Sequence, residues 1–396
     1  VYKRQVVFVS GATEALIVST KKFPLRGIDE SSVESGMRGA RDSFNEGFRT
    51  STALIRRRIR DTGLKVEQGV IGRRSRTDYA LMYIEDLAEK ELLDGIRERI
   101  SAYEIDAIYD SAMAEHLMEK KWYNPFPVFQ STTRPDKAAA AIADGRVAIV
   151  CDNSPEVLLV PATMNTLFQT ADDYYNRWPV AVFARIIRYA AAFIAIFLPG
   201  IYIALTCFER EMLPDKLLYA IANARSNLSF PIVVEVLIME LLFELLREAG
   251  IRLPEKLGNT IGVVGGLIVG QAAVEAGIVS TIVVIVVALT AIASFAIPNE
   301  AFASIFRLFK FVAIIFGALF GIFGCYILMM FLIVYLSGIE SFGVPYLSPL
   351  ISDRCDTQAY KDFVLRAPII SMFFRPEFAD RRQRVRLRRR SKGGSK

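Results

Sequence analysis

The first 178 residues alternate short apolar runs with amphipathic stretches. The apolar runs are rich in Val and Ile and are bounded by Gly, Asp, Asn or Pro, which is typical of β-strands. The predicted strands are Val6–Val9, Ala15–Val18, Tyr79–Ile84, Pro127–Gln130, Val147–Cys151 and Val157–Val160. The predicted helices between them are Glu85–Ile100, Asp110–Lys121 and Pro135–Ala143. Strands that alternate with helices indicate an α/β domain over residues 1–178.

Beyond residue 178 the pattern changes to long stretches without a charged side chain. Four of them are Tyr189–Phe208 with 20 residues, Leu257–Val274 with 18, Ala276–Asn299 with 24 and Phe311–Ile339 with 29. About 20 apolar residues in a helix cross the hydrocarbon core of a bilayer. The pattern therefore predicts a polytopic α-helical membrane domain over residues 179–340. We expect Pro199-Gly200 to kink the first span, and the last span to tilt or to project beyond the bilayer.

A fifth apolar stretch, Ser229–Leu246, contains carboxylates. They are Glu235, Glu240 and Glu244. The stretch is either an interfacial amphipathic helix with solvated acids, or a membrane-inserted helix whose acids line a cation path. In the second interpretation Glu240 is the first pore candidate, because its neighbours are apolar and buried intramembrane carboxylates are costly. Glu235 and Glu275 are the other candidates.

Glu275 separates two of the uncharged stretches and lies close to Gly277. A hairpin at this point places the carboxylate near the membrane interface, whereas one continuous helix buries it. The glycine favours the hairpin.

Glycine recurs at every fourth position in one predicted span, at Gly258, Gly262, Gly266 and Gly270. Residues four apart share a helix face, and a row of small residues lets another helix approach closely. The spacing predicts that this face packs against a helix and supports an oligomer. Gly317 and Gly321 form a second pair of this kind.

Basic residues flank the predicted membrane domain on both sides. Arg177, Arg185 and Arg188 precede the first span, and an Arg-rich tail follows the last one within residues 341–396. By the positive-inside rule both ends are cytosolic, which requires an even number of crossings. Four crossings fit if Ser229–Leu246 is re-entrant or interfacial.

The tail accounts for the basic charge of the chain. Residues 381–396 hold nine Lys and Arg and no acid, so the net charge of +6 becomes −3 without them. The arginines are Arg381, Arg382, Arg384, Arg386, Arg388, Arg389 and Arg390. We expect them to contact anionic lipid, since the tail lacks the interleaved aromatic residues of a nucleic-acid surface.

No pattern in the sequence indicates an enzyme, a cofactor or a metal site. The four cysteines are scattered and the single histidine is His116, so no ligands converge at short spacing. An acidic pair such as Asp172-Asp173 caps a helix or forms a solvated elbow more often than it takes part in acid–base catalysis. The chain also begins within a predicted strand and without Met, so we expect an N-terminally truncated fragment.

Two segments resemble hallmark segments of the GerA-type spore germination proteins, which include germinant receptor A subunits and SpoVAF-like relatives. They are Glu244-Leu-Leu-Arg-Glu-Ala-Gly-Ile-Arg-Leu-Pro254 and Gly270-Gln-Ala-Ala-Val-Glu-Ala-Gly-Ile-Val-Ser280. Further similar segments follow in the same order: Thr52–Ile59, Arg134-Pro135-Asp136, Asp172–Tyr175 and Ser341–Tyr346. The chain departs from the family by lacking a longer N-terminal region and by having Thr133 where many members have Glu.

The resemblance implies a spore inner-membrane protein with a cytosolic α/β domain and with B and C subunits as partners. It also implies a pentamer-like homo-oligomer that passes cations, with the nutrient pocket assigned to the B subunit. The alternatives are a secondary transporter, suggested by spans interrupted by Gly and Pro, and a non-conducting membrane scaffold.

Overall fold

The computed structural model describes residues 27, 34, 36, 38–226, 228, 230–252, 266, 270–351, 359–376, 378–380 and 383–387, together with the backbone of 5–8 and 15–18. The strands Gln5–Phe8 (β1) and Ala15–Val18 (β2) form an antiparallel pair. A five-stranded sheet contains Leu64–Ile71 (β3), Thr77–Ile84 (β4), Gln130–Thr132 (β5), Val147–Cys151 (β6) and Val157–Val160 (β7). Its strand order is β3-β4-β6-β7-β5, and every neighbouring pair is antiparallel.

Helices cover both faces of this sheet. They are Phe48–Arg58 (α1), Lys90–Ser101 (α2), Ser111–Met118 (α3), Pro135–Ala143 (α4), Met164–Phe168 (α5) and Ala171–Tyr175 (α6). Side chains alternate along the strands, so Ala80 and Met82 face α1 and α4, whereas Leu81 and Tyr83 face α2 and α3. The predicted alternation of strands and helices is confirmed.

The bundle beside the sheet domain includes the following helices of the described part of the chain. They are Trp178–Cys207 (α7), Asp215–Ala224 (α8), Ile232–Arg252 (α9), Thr281–Phe295 (α10) and Glu300–Ser337 (α11). Within the described ranges, α7 and the whole of α11 are each long and apolar enough to cross a membrane, judged by total length and composition alone. The predicted span Ala276–Asn299 contains only the shorter apolar helix α10, and most of Leu257–Val274 lies outside the described residues.

Helix α11 folds back on itself at Gly321, whose φ of 62° and ψ of −147° interrupt the helix. The Phe126 ring lies 5.8 Å from the Phe309 ring and 5.9 Å from the Tyr335 ring. In a straight helix these two residues would be about 40 Å apart at 1.5 Å per residue. Residues 300–320 and 322–337 are therefore two antiparallel arms of a hairpin. The expectation that Phe311–Ile339 is one span that tilts or projects beyond the bilayer is wrong.

The end of α7 holds this turn in place. The Oε1 atom of Glu209 accepts a hydrogen bond of 3.3 Å from the backbone N–H of Ile322, at the start of the second arm. Such a carboxylate satisfies a donor that the helix itself leaves open. The last arm consequently returns to the sheet domain, where the Tyr335 hydroxyl donates to Asn124 Oδ1 at 3.1 Å.

Helices α7 and α11 touch at glycines near Pro199. A Cβ atom on Gly200 would lie 2.5 Å from the Ala313 carbonyl oxygen, and one on Gly317 would lie 2.5 Å from the Gly200 carbonyl oxygen. Only glycine allows the two backbones to come this close. The core is continuous from here to the sheet domain, where Phe168 stacks edge-on against Phe302 at 5.3 Å.

Two short strands, Glu340–Ser341 (β8) and Val344–Pro345 (β9), follow the hairpin. They lead into a C-terminal segment that lies against the sheet domain. The Ser341 hydroxyl donates to the Val128 carbonyl at 2.7 Å and accepts from the Ala162 N–H at 3.1 Å. The segment that follows the hairpin therefore packs against the same sheet domain that precedes α7 in the sequence.

Candidate functional site: buried ion pairs of the helical bundle

A row of ion pairs joins α9 to the first arm of α11. Lys310 Nζ lies 2.6 Å from Glu240 Oε2, Arg307 Nε lies 3.2 Å from Glu244 Oε1, and Arg247 lies 2.6 Å from Glu300. The positions ascend along α9 while they descend along α11, so the two helices are antiparallel. We refer to these three pairs as the α9–α11 charge row.

Burial increases along the row toward the middle of the bundle. Glu300 is largely exposed, whereas Glu240 is 1% exposed and Lys310 is 3% exposed. Removing two charges from water costs several kcal/mol per ion, and a close opposite charge offsets this cost. The Glu240–Lys310 pair is therefore stable only while both partners are present.

Glu235 is fully buried at the other end of α9. Its Oε1 atom accepts from Arg225 at 3.0 Å, and its Oε2 atom accepts from the Ser280 N–H at 3.0 Å. The side chain thus joins the end of α8, the start of α9 and the start of α10. In this conformation neither Glu235 nor Glu240 is a free carboxylate, since each contacts a basic side chain.

Glu275, the third pore candidate, is exposed and accepts a hydrogen bond of 3.1 Å from Gln271. The helix that contains it ends directly afterwards, because Gly277 adopts a φ of 66° and donates to the Val274 carbonyl. The predicted turn at Glu275–Gly277 is confirmed. Its carboxylate lies at the tip of the turn rather than inside a helix pair.

The row of glycines is described only in part. Gly258 and Gly262 lie outside the described residues. A Cβ on Gly266 would meet nothing within 4 Å, and one on Gly270 would be in ordinary contact with Val284 Cγ1 at 3.7 Å. Neither glycine makes a close backbone contact within this chain. The predicted packing of this face against a helix would therefore involve a second chain, and it stays a prediction.

Two of the tail arginines, Arg384 and Arg386, lie in the described part of the chain. Arg381, Arg382, Arg388, Arg389 and Arg390 lie outside it. Arg386 Nη1 lies 3.1 Å from Asp144 Oδ1 at the end of α4, and nearby Arg375 donates to the Ala143 carbonyl at 3.0 Å. Arg386 therefore contacts a carboxylate of the sheet domain, and its predicted contact with lipid stays a prediction.

A cavity of about 470 Å³ lies between the sheet domain and this C-terminal segment. Buried Arg146 reaches it and donates to Gln130 Oε1 at 2.7 Å. Asp144 lies beside it, and burial raises the pKa of this carboxyl from 3.8 to about 6, although Arg386 opposes the change. Burial likewise lowers the pKa of Arg146 to about 10.

The raised pKa of Asp144 gives a pH-dependent effect on stability. The folded state binds the proton more readily than the unfolded state, so stability is lost as the pH rises from about 4 to about 6. We expect Asp144→Asn to raise the free energy of unfolding by about 2–3 kcal/mol at pH 7.5 and to leave it unchanged near pH 4. Denaturant titrations at both pH values measure this, with the exposed Asp86→Asn as control. An equal effect at both pH values would contradict the assignment.

A second buried cluster connects the sheet domain to the first helix of the bundle. Asp173 accepts hydrogen bonds of 3.0 Å from Arg185 Nε and from Arg188 Nη1, and Arg185 also donates to Asp362 at 2.7 Å. Burial alone would raise the pKa of Asp173, but the two arginines hold it below 3.8. Arg185 and Arg188 are therefore structural partners of a buried acid, and Asp173 is not part of a solvated elbow.

The sequence pattern identifies the acidic residues of the site but misses their basic partners. These partners are Lys310, Arg307 and Arg225, and each lies outside the uncharged stretches that define the predicted spans. The order Glu240, Glu244, Arg247 along one helix and Lys310, Arg307, Glu300 along another is complementary when read in opposite directions. This antiparallel complementarity was the signal that could have identified the pairs. Among the described residues, no three His, Cys, Asp or Glu side chains converge as metal ligands.

Comparison with known proteins identifies the family. Residues 2–378 match the family described as Bacillus/Clostridium GerA spore germination protein. Spore germination protein KA of Bacillus subtilis (strain 168) is 42% identical, with 96% of this chain and 70% of that protein covered. Spore germination protein A1 of the same strain is 41% identical, with 92% and 75% covered. The uncharacterized membrane protein YfkQ of that strain is also 41% identical, with 94% and 72% covered.

A solved structure is also similar in sequence. The crystal structure of the N-terminal domain of the A subunit of the Bacillus megaterium spore germinant receptor GerK3 is 35% identical. The match covers 31% of this chain and 97% of that chain, with a TM-score of 0.26. The family match, which spans nearly the whole chain, and the close relatives confirm the resemblance found in the sequence. The chain belongs to the GerA family of spore germination proteins.

Proposed function

We propose that this chain is a membrane subunit of a spore nutrient-germinant receptor, located in the spore inner membrane with B and C subunits. In this proposal it forms a homo-oligomer that conducts cations when germinant is sensed. The observation that carries the proposal is the buried Glu240–Lys310 pair between α9 and α11. Charged side chains inside an apolar bundle are costly and are commonly retained for ion movement.

The ion path requires a change in the charge row. Glu235 and Glu240 are each held by a basic side chain, so a cation reaches them only when Arg225 or Lys310 moves away. We infer that the described conformation is the non-conducting one. Glu275, at its exposed turn, is suited to attract cations to the entrance rather than to bind them inside the bilayer. The tail arginines beyond the described residues keep their proposed contact with anionic lipid.

The oligomer is proposed to form through the glycine face. Because a Cβ on Gly266 meets open space, Gly266→Leu is tolerated by the chain itself but blocks close approach of a neighbouring helix. We expect this variant to insert and fold normally and to run as a smaller species on a native gel. Gly266→Ala, which adds one methyl group, is the matched control. Normal assembly of the Leu variant would contradict the packing role.

A secondary transporter is the second candidate, suggested by the Gly and Pro residues that lie within the apolar helices, such as Pro199-Gly200 in α7. Voltage-clamp recording of the reconstituted chain, alone and with B and C subunits, separates the two functions. Discrete single-channel steps support the pore, whereas slow saturable flux supports the carrier. Absence of both would leave the non-conducting scaffold.

A further inference from the structure

The loop between α3 and β5 exposes an unusual set of side chains. Trp122 is 88% exposed, more than any other large hydrophobic side chain in the described part of the chain, and Tyr123 beside it is 61% exposed. The two preceding residues, Lys120 and Lys121, are also exposed, whereas Glu119 is half-buried. An exposed aromatic pair next to two lysines is poorly explained by contact with water alone.

The loop has a fixed position relative to the bundle. Asn124 Oδ1 accepts from the Tyr335 hydroxyl at the end of the second hairpin arm, and Asn124 Nδ2 donates to the Phe126 carbonyl at 2.8 Å. Phe126 is buried and stacks on Phe309 of the first arm at 5.8 Å. Trp122 therefore lies two residues before Asn124, which contacts the end of the second arm, and close to the contact between Phe126 and the first arm.

An apolar surface of the second arm leads toward this point. Phe323, Ile327, Phe331 and Val334 are exposed large apolar side chains at helical spacing, and they precede Tyr335. Such a stripe suits the hydrocarbon of a bilayer. The loop therefore lies where this stripe ends.

We propose that residues Lys120–Tyr123 form a membrane-interface anchor, in which Trp122 and Tyr123 enter the headgroup region and the two lysines contact anionic lipid. Trp and Tyr favour this layer because their rings are apolar and their N–H and O–H groups can still be hydrogen-bonded. Lysines near the surface of an anionic membrane add electrostatic attraction. The anchor rests on the proposed membrane location of the bundle, and it fixes the sheet domain against the membrane rather than leaving it suspended.

The chain offers a direct test, because it contains only two tryptophans, Trp122 and Trp178. Trp178→Phe leaves Trp122 as the single tryptophan of the full-length chain, which is excited selectively at wavelengths that tyrosine does not absorb. A reference variant combines Trp122→Phe, Trp178→Phe and Phe323→Trp, which places the single tryptophan on the apolar stripe. Both are reconstituted into vesicles of phosphatidylcholine and phosphatidylglycerol that contain lipids brominated at shallow or deep positions of the acyl chain.

We expect Trp122 to be quenched by shallow bromines more than by deep ones, with blue-shifted emission and with protection from aqueous iodide. The Phe323→Trp reference should be quenched by the deep bromines. Charge reversal through Lys120→Glu and Lys121→Glu should weaken the shallow quenching of Trp122 in anionic vesicles and have less effect in neutral ones. Because the substituted loop positions are exposed, these variants are expected to fold.

Different failures are distinguishable. Quenching of Trp122 by iodide and not by lipid, with the reference still quenched by lipid, overturns the anchor and leaves the membrane location intact. Protection of Trp122 from both quenchers also overturns it, since another protein surface then covers the loop. Absence of lipid quenching in both variants overturns the membrane location together with the anchor.

Discussion

Replacement of Lys310 by Met should lower the free energy of unfolding by about 3–5 kcal/mol, because it leaves the Glu240 carboxylate buried without its partner. Glu240→Leu should have a comparable effect by isolating the ammonium group. The double variant Glu240→Leu/Lys310→Met should recover most of the loss, since two apolar side chains of similar size can replace a buried ion pair. Denaturant titrations of the full-length chain in detergent micelles measure the cycle.

A matched control lies on the same helix. Arg252 Nη2 is 2.6 Å from Glu248 Oε1, the same N–O distance as in the Glu240–Lys310 pair, but Arg252 is 78% exposed. Arg252→Met should therefore change stability by no more than about 1 kcal/mol. Equal effects of the two Met substitutions would show that the charge row is solvated and would contradict its burial.

A further variant, Glu240→Gln, separates two roles for Glu240. If the carboxylate only lined a water-filled pore, Glu240→Gln would reduce conductance and leave assembly unchanged. The ion pair with Lys310 instead predicts that Glu240→Gln destabilises the bundle, because it leaves a buried positive charge. Thermal stability and conductance measured on the same preparation distinguish these outcomes.

Gly317→Ala should destabilise the bundle by about 1–3 kcal/mol, although alanine is the better helix former. Its Cβ would lie 2.5 Å from the Gly200 carbonyl oxygen, which belongs to the backbone and cannot rotate away. Helices α7 and α11 would have to separate, and the contacts around the crossing would weaken. Thermal unfolding in detergent measures the change.

The control for this variant is Gly250→Ala, in the last turn of α9. A Cβ at Gly250 meets nothing within 4 Å. The substitution should be neutral, or stabilising by up to about 1 kcal/mol through helix propensity. Opposite signs at the two glycines support the close crossing, whereas a stabilising Gly317→Ala would refute it.

The elements that could be predicted from the sequence are those fixed by local pattern. The strands Val147–Cys151 and Val157–Val160 and the helix Pro135–Ala143 were predicted with the bounds that the structure shows. Each is a short run with a clear boundary, such as a proline at the first helical position. Strand β3 was not predicted, because Leu64–Ile71 is half-exposed and contains charged residues.

The fold-back of α11 could not be derived from composition. The apolar composition of a segment shows that it is removed from water. It does not distinguish one straight helix from a hairpin of two packed arms, because both have the same composition. The sequence spacing indicates only a small packing residue at Gly321, whereas its φ of 62° makes it the turn itself. The decisive contact, between Glu209 and the Ile322 N–H, joins residues 113 positions apart.

The return of the hairpin to the sheet domain has a consequence for biosynthesis. Helix α4, with Asp144 just after it, is translated before the helices of the bundle, but Arg386, which contacts Asp144, is translated after them. The sheet domain therefore has one side uncovered until all the helices of the bundle have been made. A nascent chain that stalls before residue 359 therefore lacks Arg386 and leaves Asp144 and this side of the sheet domain uncovered.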